Sequence, residues 1–98
     1  MYVAAARISL HLPSSQSLKD RRRILRSLIE RTANRFRTAI AEVGGQDTWQ
    51  VAEIGLSIVS STDTHAREVV DEVIRFVEQF SPEAIVTRID VDVIPFED

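Results

Sequence analysis

The chain of 98 residues has no cysteine, one methionine, one tryptophan, one tyrosine, three glycines and three prolines. Each shortage excludes something. Without cysteine there is no disulfide, no thiolate metal site and no thiol nucleophile. So few glycines and prolines exclude a collagen-like or Pro/Gly-rich disordered chain. The adjacent Gly44 and Gly45 have neither the lysine nor the helix of a phosphate-binding loop after them. The two histidines, His11 and His65, lie in different segments and give no metal-ligand spacing, even with Asp90 and Asp92 able to share a strand face with His11. No metal and no other cofactor is expected. No apolar run approaches the roughly 20 residues that a membrane-spanning helix needs. The opening MYVAAARISL places no basic stretch ahead of its apolar run, so neither a membrane association nor a secretory leader is expected. The expectation is a soluble, cytoplasmic protein of one domain over residues 1–98, large enough for a single core.

What is present is charge, unevenly placed. Residues 1–39 hold nine basic and two acidic side chains, whereas residues 40–98 hold three basic and thirteen acidic ones. The net of −3 hides this division. Lys19, Arg21, Arg22, Arg23, Arg26, Arg31, Arg35 and Arg37 stand close together, opposed only by Asp20 and Glu30. Such asymmetry points to a polyanion such as nucleic acid, or to an acidic partner. Its alternative is a solvated helix face neutralised within the fold.

Periodicity predicts strand, helix, strand, strand, helix, strand. A period of two over Tyr2–Leu12 puts Ile8, Leu10 and Leu12 on one face and Arg7, Ser9 and His11 on the other. Pro13 ends this strand. A helix over Leu18–Phe36 follows, with Ser17 as N-cap and Asp20 completing a capping box. At 100° per residue its apolar sector is Leu18, Leu25, Leu28, Ile29, Thr32, Ala33 and Phe36. Arg21 and Arg22 fall at the edges of that sector, from which long stems let their charges reach water. Strands over Thr38–Val43 and Trp49–Ser60 are joined through Gly44 and Gly45, in a hairpin that needs positive φ. Gln46, Asp47 and Gln50 are either a polar recognition cluster or turn residues bonding their own backbone, the reading preferred. A second helix over Thr64–Phe80, capped by Thr62 or Asp63, has the stripe Ala66, Val69, Val70, Val73, Val77 and Phe80. A last strand over Ala84–Ile94 sets Ile85, Ile89, Val91 and Val93 against Arg88, Asp90 and Asp92.

The order βαββαβ is that of the α+β ferredoxin-like split βαβ fold: a four-stranded antiparallel sheet, order 4-1-3-2, with two helices on one face. The expected register sets Val3 opposite Ile94, Ala5 opposite Asp92, Arg7 opposite Asp90 and Ser9 opposite Arg88, pairing opposite charges on the uncovered face. It gathers Val3, Val59 and Ile94 at one end of that face, an apolar corner that is either an oligomer patch or a loop-covered margin.

Several segments carry a family resemblance. They are Ser17-Leu18-Lys19-Asp20-Arg21-Arg22, Leu25-Arg26-Ser27-Leu28, Asn34-Arg35-Phe36, Ala41-Glu42-Val43 and Gln46-Asp47-Thr48-Trp49-Gln50. Together they resemble the bacterial YlxP-like family, a domain of unknown function of about this length. The resemblance spans nearly the whole chain and implies a ferredoxin-like fold. Genes of that family often lie among those for translation initiation and ribosome maturation, which implies a link to RNA or the ribosome. Members often carry Arg after the Trp-Gln pair, where this chain has Val51.

Catalysis finds little support. There is no nucleophile elbow, and Asp71 and Glu72 diverge on a helix. The open sheet face has no central aromatic, unlike sheet-face RNA readers. Phosphate contact by the first helix remains, through Lys19, Arg21, Arg22, Arg23 and Arg26, with the amide groups near Ser14, Ser15 and Ser17 adding a positive helix end. The expected function is a non-enzymatic accessory protein that touches ribosomal RNA, a ribosomal subunit or other structured RNA. The alternative is a homo-oligomeric interaction module without nucleic-acid binding. Trp49 is either a stacking anchor or a core or edge residue covering the helix end.

Overall fold

The computed structural model describes residues 1–45 and 48–97. Its elements are β1 (Tyr2–His11), α1 (Leu18–Phe36), β2 (Ala39–Gly44), β3 (Val51–Ser60), α2 (Asp63–Phe80) and β4 (Ile85–Pro95). The four strands form one antiparallel sheet in the order β2-β3-β1-β4, the ferredoxin-like arrangement that the element order implies. The sheet is long for so short a chain, and the Cα envelope measures 47 × 23 × 19 Å.

Alternation along the central strands decides which face is covered. Ala4, Ala6, Ile8 and Leu10 of β1 and Ala52, Ile54, Leu56 and Ile58 of β3 are buried beneath the helices. They meet Ile24, Leu25 and Leu28 of α1 and Ala66, Val70, Val73, Ile74 and Val77 of α2 in one continuous core. Each fully buried Leu, Ile or Val contributes about 1.5–3 kcal/mol by leaving water. The register of β1 with β4 is as the charge pairing predicts: Val3↔Ile94, Ala5↔Asp92, Arg7↔Asp90 and Ser9↔Arg88.

The structure corrects the sequence reading in three places. Leu18 is not a core residue; it is 48% exposed, while Ile24 is buried. Helical side chains lean toward the N-terminus, so the first residue of a helix overhangs the layer that its angle would place it in. In β4 the register shifts after Ser9, so that Leu10 pairs with Val86 and His11 with Ile85. This irregularity at Thr87 puts Val86, not Ile85, against the core and leaves Ile85 exposed on the open face. The third correction is Arg21, which belongs to the candidate site.

Candidate nucleic-acid interface

The start of α1 is built by its own side chains. The Ser17 hydroxyl accepts the Asp20 amide at 3.1 Å, and the Asp20 carboxylate accepts the Gln16 amide at 3.1 Å. Ser15 is fully buried, and its hydroxyl donates to the Ser17 carbonyl at 3.3 Å. The helix end that was expected to receive a phosphate near Ser14, Ser15 and Ser17 is thus already furnished with a carboxylate and a hydroxyl. The cations open to solvent lie on the flank of the helix instead.

On that flank, Lys19, Arg22, Arg23 and Arg26 are exposed, as expected, but Arg21 is buried. Arg21 stands four, seven and eleven residues before Leu25, Leu28 and Thr32, so it occupies the N-terminal place in the buried stripe. Its guanidinium turns inward. Nε donates to the Val51 carbonyl at 3.3 Å; Nη2 donates to the Gly45 carbonyl at 3.0 Å and to the Glu42 carboxylate. Gly45 itself has φ 78, and a Cβ there would lie 3.0 Å from the Ala52 backbone, so the turn that presents this carbonyl requires glycine. Arg21 ties the first turn of α1 to the β2–β3 hairpin. Its guanidinium is therefore turned away from solvent, against the expectation that it reaches outward.

The remaining cations form one row. Lys19, Arg22, Arg23, Arg26 and Arg31, with Ser27 and Glu30, line a shallow depression of about 580 Å³. Steps of three and four residues place them on one helix face. Among the described residues, Lys19, Arg22 and Arg26 make no ion pair. Arg23 pairs with Glu83 at 2.8 Å, with both side chains largely open to water. That contact holds the Glu83 carboxyl below its ordinary pKa, chiefly through the hydrogen bond from Arg23. An exposed pair is worth little and exchanges readily. Arg31 was not foreseen as part of the site. Its guanidinium lies 5.5 Å over the Phe80 ring, while Arg35 lies 5.6 and 5.7 Å over Phe36 and Phe76. The seam between α1 and α2 is thus sealed by arginine–aromatic stacking.

Trp49 is 50% exposed, so it is not a core residue. Its neighbour Gln50 accepts the Leu12 amide at 2.9 Å and donates to the Ser15 carbonyl at 3.3 Å. These bonds put Trp49 at the same end of the molecule as the start of α1. Gln46 and Asp47, read as turn residues, lie outside the described residues. Val51 projects onto the open face beside His11, the layer opposite α1, so its difference from the family pattern does not touch the cationic row.

The uncovered face also has the expected corner. Val3 pairs with Val59 on one side and Ile94 on the other, and Val59 is 65% exposed. Among the described residues no cluster of His, Asp and Glu has the form of a metal site, and no helix is long and apolar enough to cross a membrane.

Comparison with known proteins places this arrangement. A family model described as "Protein of unknown function (DUF503)" matches residues 3–91. The chain belongs to this family. It is 36% identical over 73 residues to "Uncharacterized protein YlxP" of Bacillus subtilis (strain 168), covering 74% of this chain and 79% of that protein. The family assignment thus agrees with the YlxP-like resemblance of the sequence, and it assigns no role. Among solved structures, "De novo designed protein Foldit4" superimposes with a TM-score of 0.55 over 99% of this chain and 100% of its own, at 9% identity. At that identity the likeness concerns the fold alone.

Proposed function

We propose that this protein is a non-enzymatic cytoplasmic accessory factor that contacts structured RNA, ribosomal RNA first among the candidates, through the cationic flank of α1. The observation that carries the reading is the row Lys19, Arg22 and Arg26, solvent-exposed and without an ion pair among the described residues. Helix physics does not account for that row. Cations in the first turn of a helix, here Lys19, oppose its macrodipole by about 0.3–1 kcal/mol each, an effect that fades toward Arg22 and Arg26. Only Asp20 in the first turn offsets them. A ligand dense in phosphate removes that penalty, and the genomic setting implied by the family resemblance supplies such ligands.

Arg23 joins the row by exchanging Glu83 for phosphate, and Arg21 serves only to hold the row in place. With three or four phosphates engaged, log Kobs falls with log salt at a slope of about −3. The test is a salt series of binding to ribosomal RNA and ribosomal subunits. Wild-type protein binds at low salt, and the variant Lys19→Glu/Arg22→Glu/Arg26→Glu does not bind while keeping its fold. Absence of wild-type binding at low salt overturns the reading.

A further inference from the structure

The open face of the sheet is divided into two unlike halves. On β1 and β4 it carries long charged side chains: Arg7 donates to Asp90 at 3.2 Å, and Arg88 meets Asp90 at 3.1 Å. On β2 and β3 the rows of Asp92 and Arg7 hold small residues, Ala39 beside Ser57 and Ala41 beside Gly55, with the exposed Val43 side chain leaning over Gly55, and the row of Arg88 holds Glu53. A shallow hollow of about 360 Å³ lies over them. At both ends of the face, apolar side chains stand in a row across the strands. Val59, Val3 and Ile94 make one row, and Val51 and Ile85 flank His11 in the other. Val59, Ile94, Val51 and Ile85 are all exposed.

We infer that this face binds a second copy of the chain, about a two-fold axis that runs along the strands between β1 and β3. That operation leaves each row facing itself and exchanges the halves of the face. Val3 then meets Val59 of the second copy, and the charged ridge of Arg7 and Asp90 settles over Ala41 and against the Val43 side chain that leans over Gly55. Arg88 comes against the row of Glu53, a carboxylate without an ion pair among the described residues. No like charges are brought together. A two-fold axis across the strands instead sets Arg7 over Arg7 and Asp90 over Asp90. The sheet plane, from strand spacing and rise, amounts to roughly 600 Å² per copy, or about 1,200 Å² for the pair, the lower bound of a specific interface. Sheets packed in this way lie within about 30° of alignment. The helices stay outside, so both cationic flanks remain open; the inference does not depend on the RNA reading.

The experiment is the solution mass across a concentration series, by sedimentation equilibrium. Wild type is expected to reach twice the 11.1 kDa of the chain. Ala41→Arg fills the hollow, and Val59→Asp places charge in the end row; both sites are exposed, so the monomer fold survives and each variant stays monomeric. Because the chain has no cysteine, Val3→Cys and Val59→Cys, prepared separately and mixed, should form the mixed disulfide in preference to Val3→Cys with itself. A wild type that stays monomeric overturns the inference. So does a dimer that neither substitution disturbs, because that dimer uses another surface. A cross-link of Val3→Cys to itself in preference to the mixed one rejects the axis.

Discussion

Helices α1 and α2 cover the same sheet face and differ in length by one residue, yet they are held by different means. The buried stripe of α2 is wholly apolar. Asp63 lies in its first turn, where the macrodipole favours a negative charge, and it pairs with Arg67 one turn on. The stripe of α1 has Arg21 at its head, its first turns are crowded with cations, and its C-cap is Arg37 in the left-handed region at φ 51. Local physics accounts for α2 except at its last turn, which holds Glu78 and no basic residue. In α1 it is broken three times, twice at the end where the cationic row lies. Broken local rules that gather in one place are the ordinary mark of a functional or strained site.

The comparison can be broken most directly at Arg21. Arg21→Ala strands the Glu42 carboxylate and two backbone carbonyls, and is expected to cost about 3 kcal/mol in urea unfolding. Arg67→Ala, which loses only an exposed pair, should stay within about 0.5 kcal/mol. Equal effects dissolve the distinction between the helices. The N-caps sharpen it. Ser17 and Thr62 each accept one amide, so Ser17→Ala and Thr62→Ala should each cost about 1 kcal/mol. A larger loss at Ser17 indicates that the cap also anchors the buried Ser15 loop. Arg37→Gly should stabilise the protein by about 0.5 kcal/mol, since glycine adopts the left-handed C-cap without strain, and thermal melting reads that gain.

The smallest effect is on pH. Glu83 is held below the ordinary carboxylate range chiefly by the hydrogen bond from Arg23, and Asp90 by that from Arg7, with Arg88 adding to it. A carboxyl depressed in the folded state stabilises above its unfolded pKa and loses that contribution as pH falls through its folded value. Stability should therefore decline as pH drops through and below the ordinary carboxylate range. The decline should be shallower in Arg7→Gln/Arg23→Gln, by urea unfolding across that range.

Most of the fold was legible because period two and period 3.6 are separable in this chain. Alternation placed Ile8, Leu10 and Leu12 inside, and opposite charges placed Arg7 against Asp90 in the correct register. The failures have one cause each. Leu18 has the right angle but the wrong end of the helix. Ile85 sits beyond a bulge that no local residue announces. Arg21 has the spacing of a core residue, four before Leu25 and seven before Leu28, but its charge argues for solvent. Its burial depends on Glu42 and on the carbonyls of Gly45 and Val51, partners distant in sequence. The exposed cations were legible because a solvated side chain asks nothing of distant residues.

The central claim is that neighbouring arginines divide the work: Arg21 holds the helix and Arg22 meets the ligand. A side-by-side titration of ribosomal RNA with Arg21→Gln and Arg22→Glu, at a temperature where both are folded, tests it. The account predicts near wild-type affinity and salt slope for Arg21→Gln, and for Arg22→Glu a weaker affinity with the slope reduced by about 1. Loss of binding in folded Arg21→Gln, with Arg22→Glu unaffected, would contradict it.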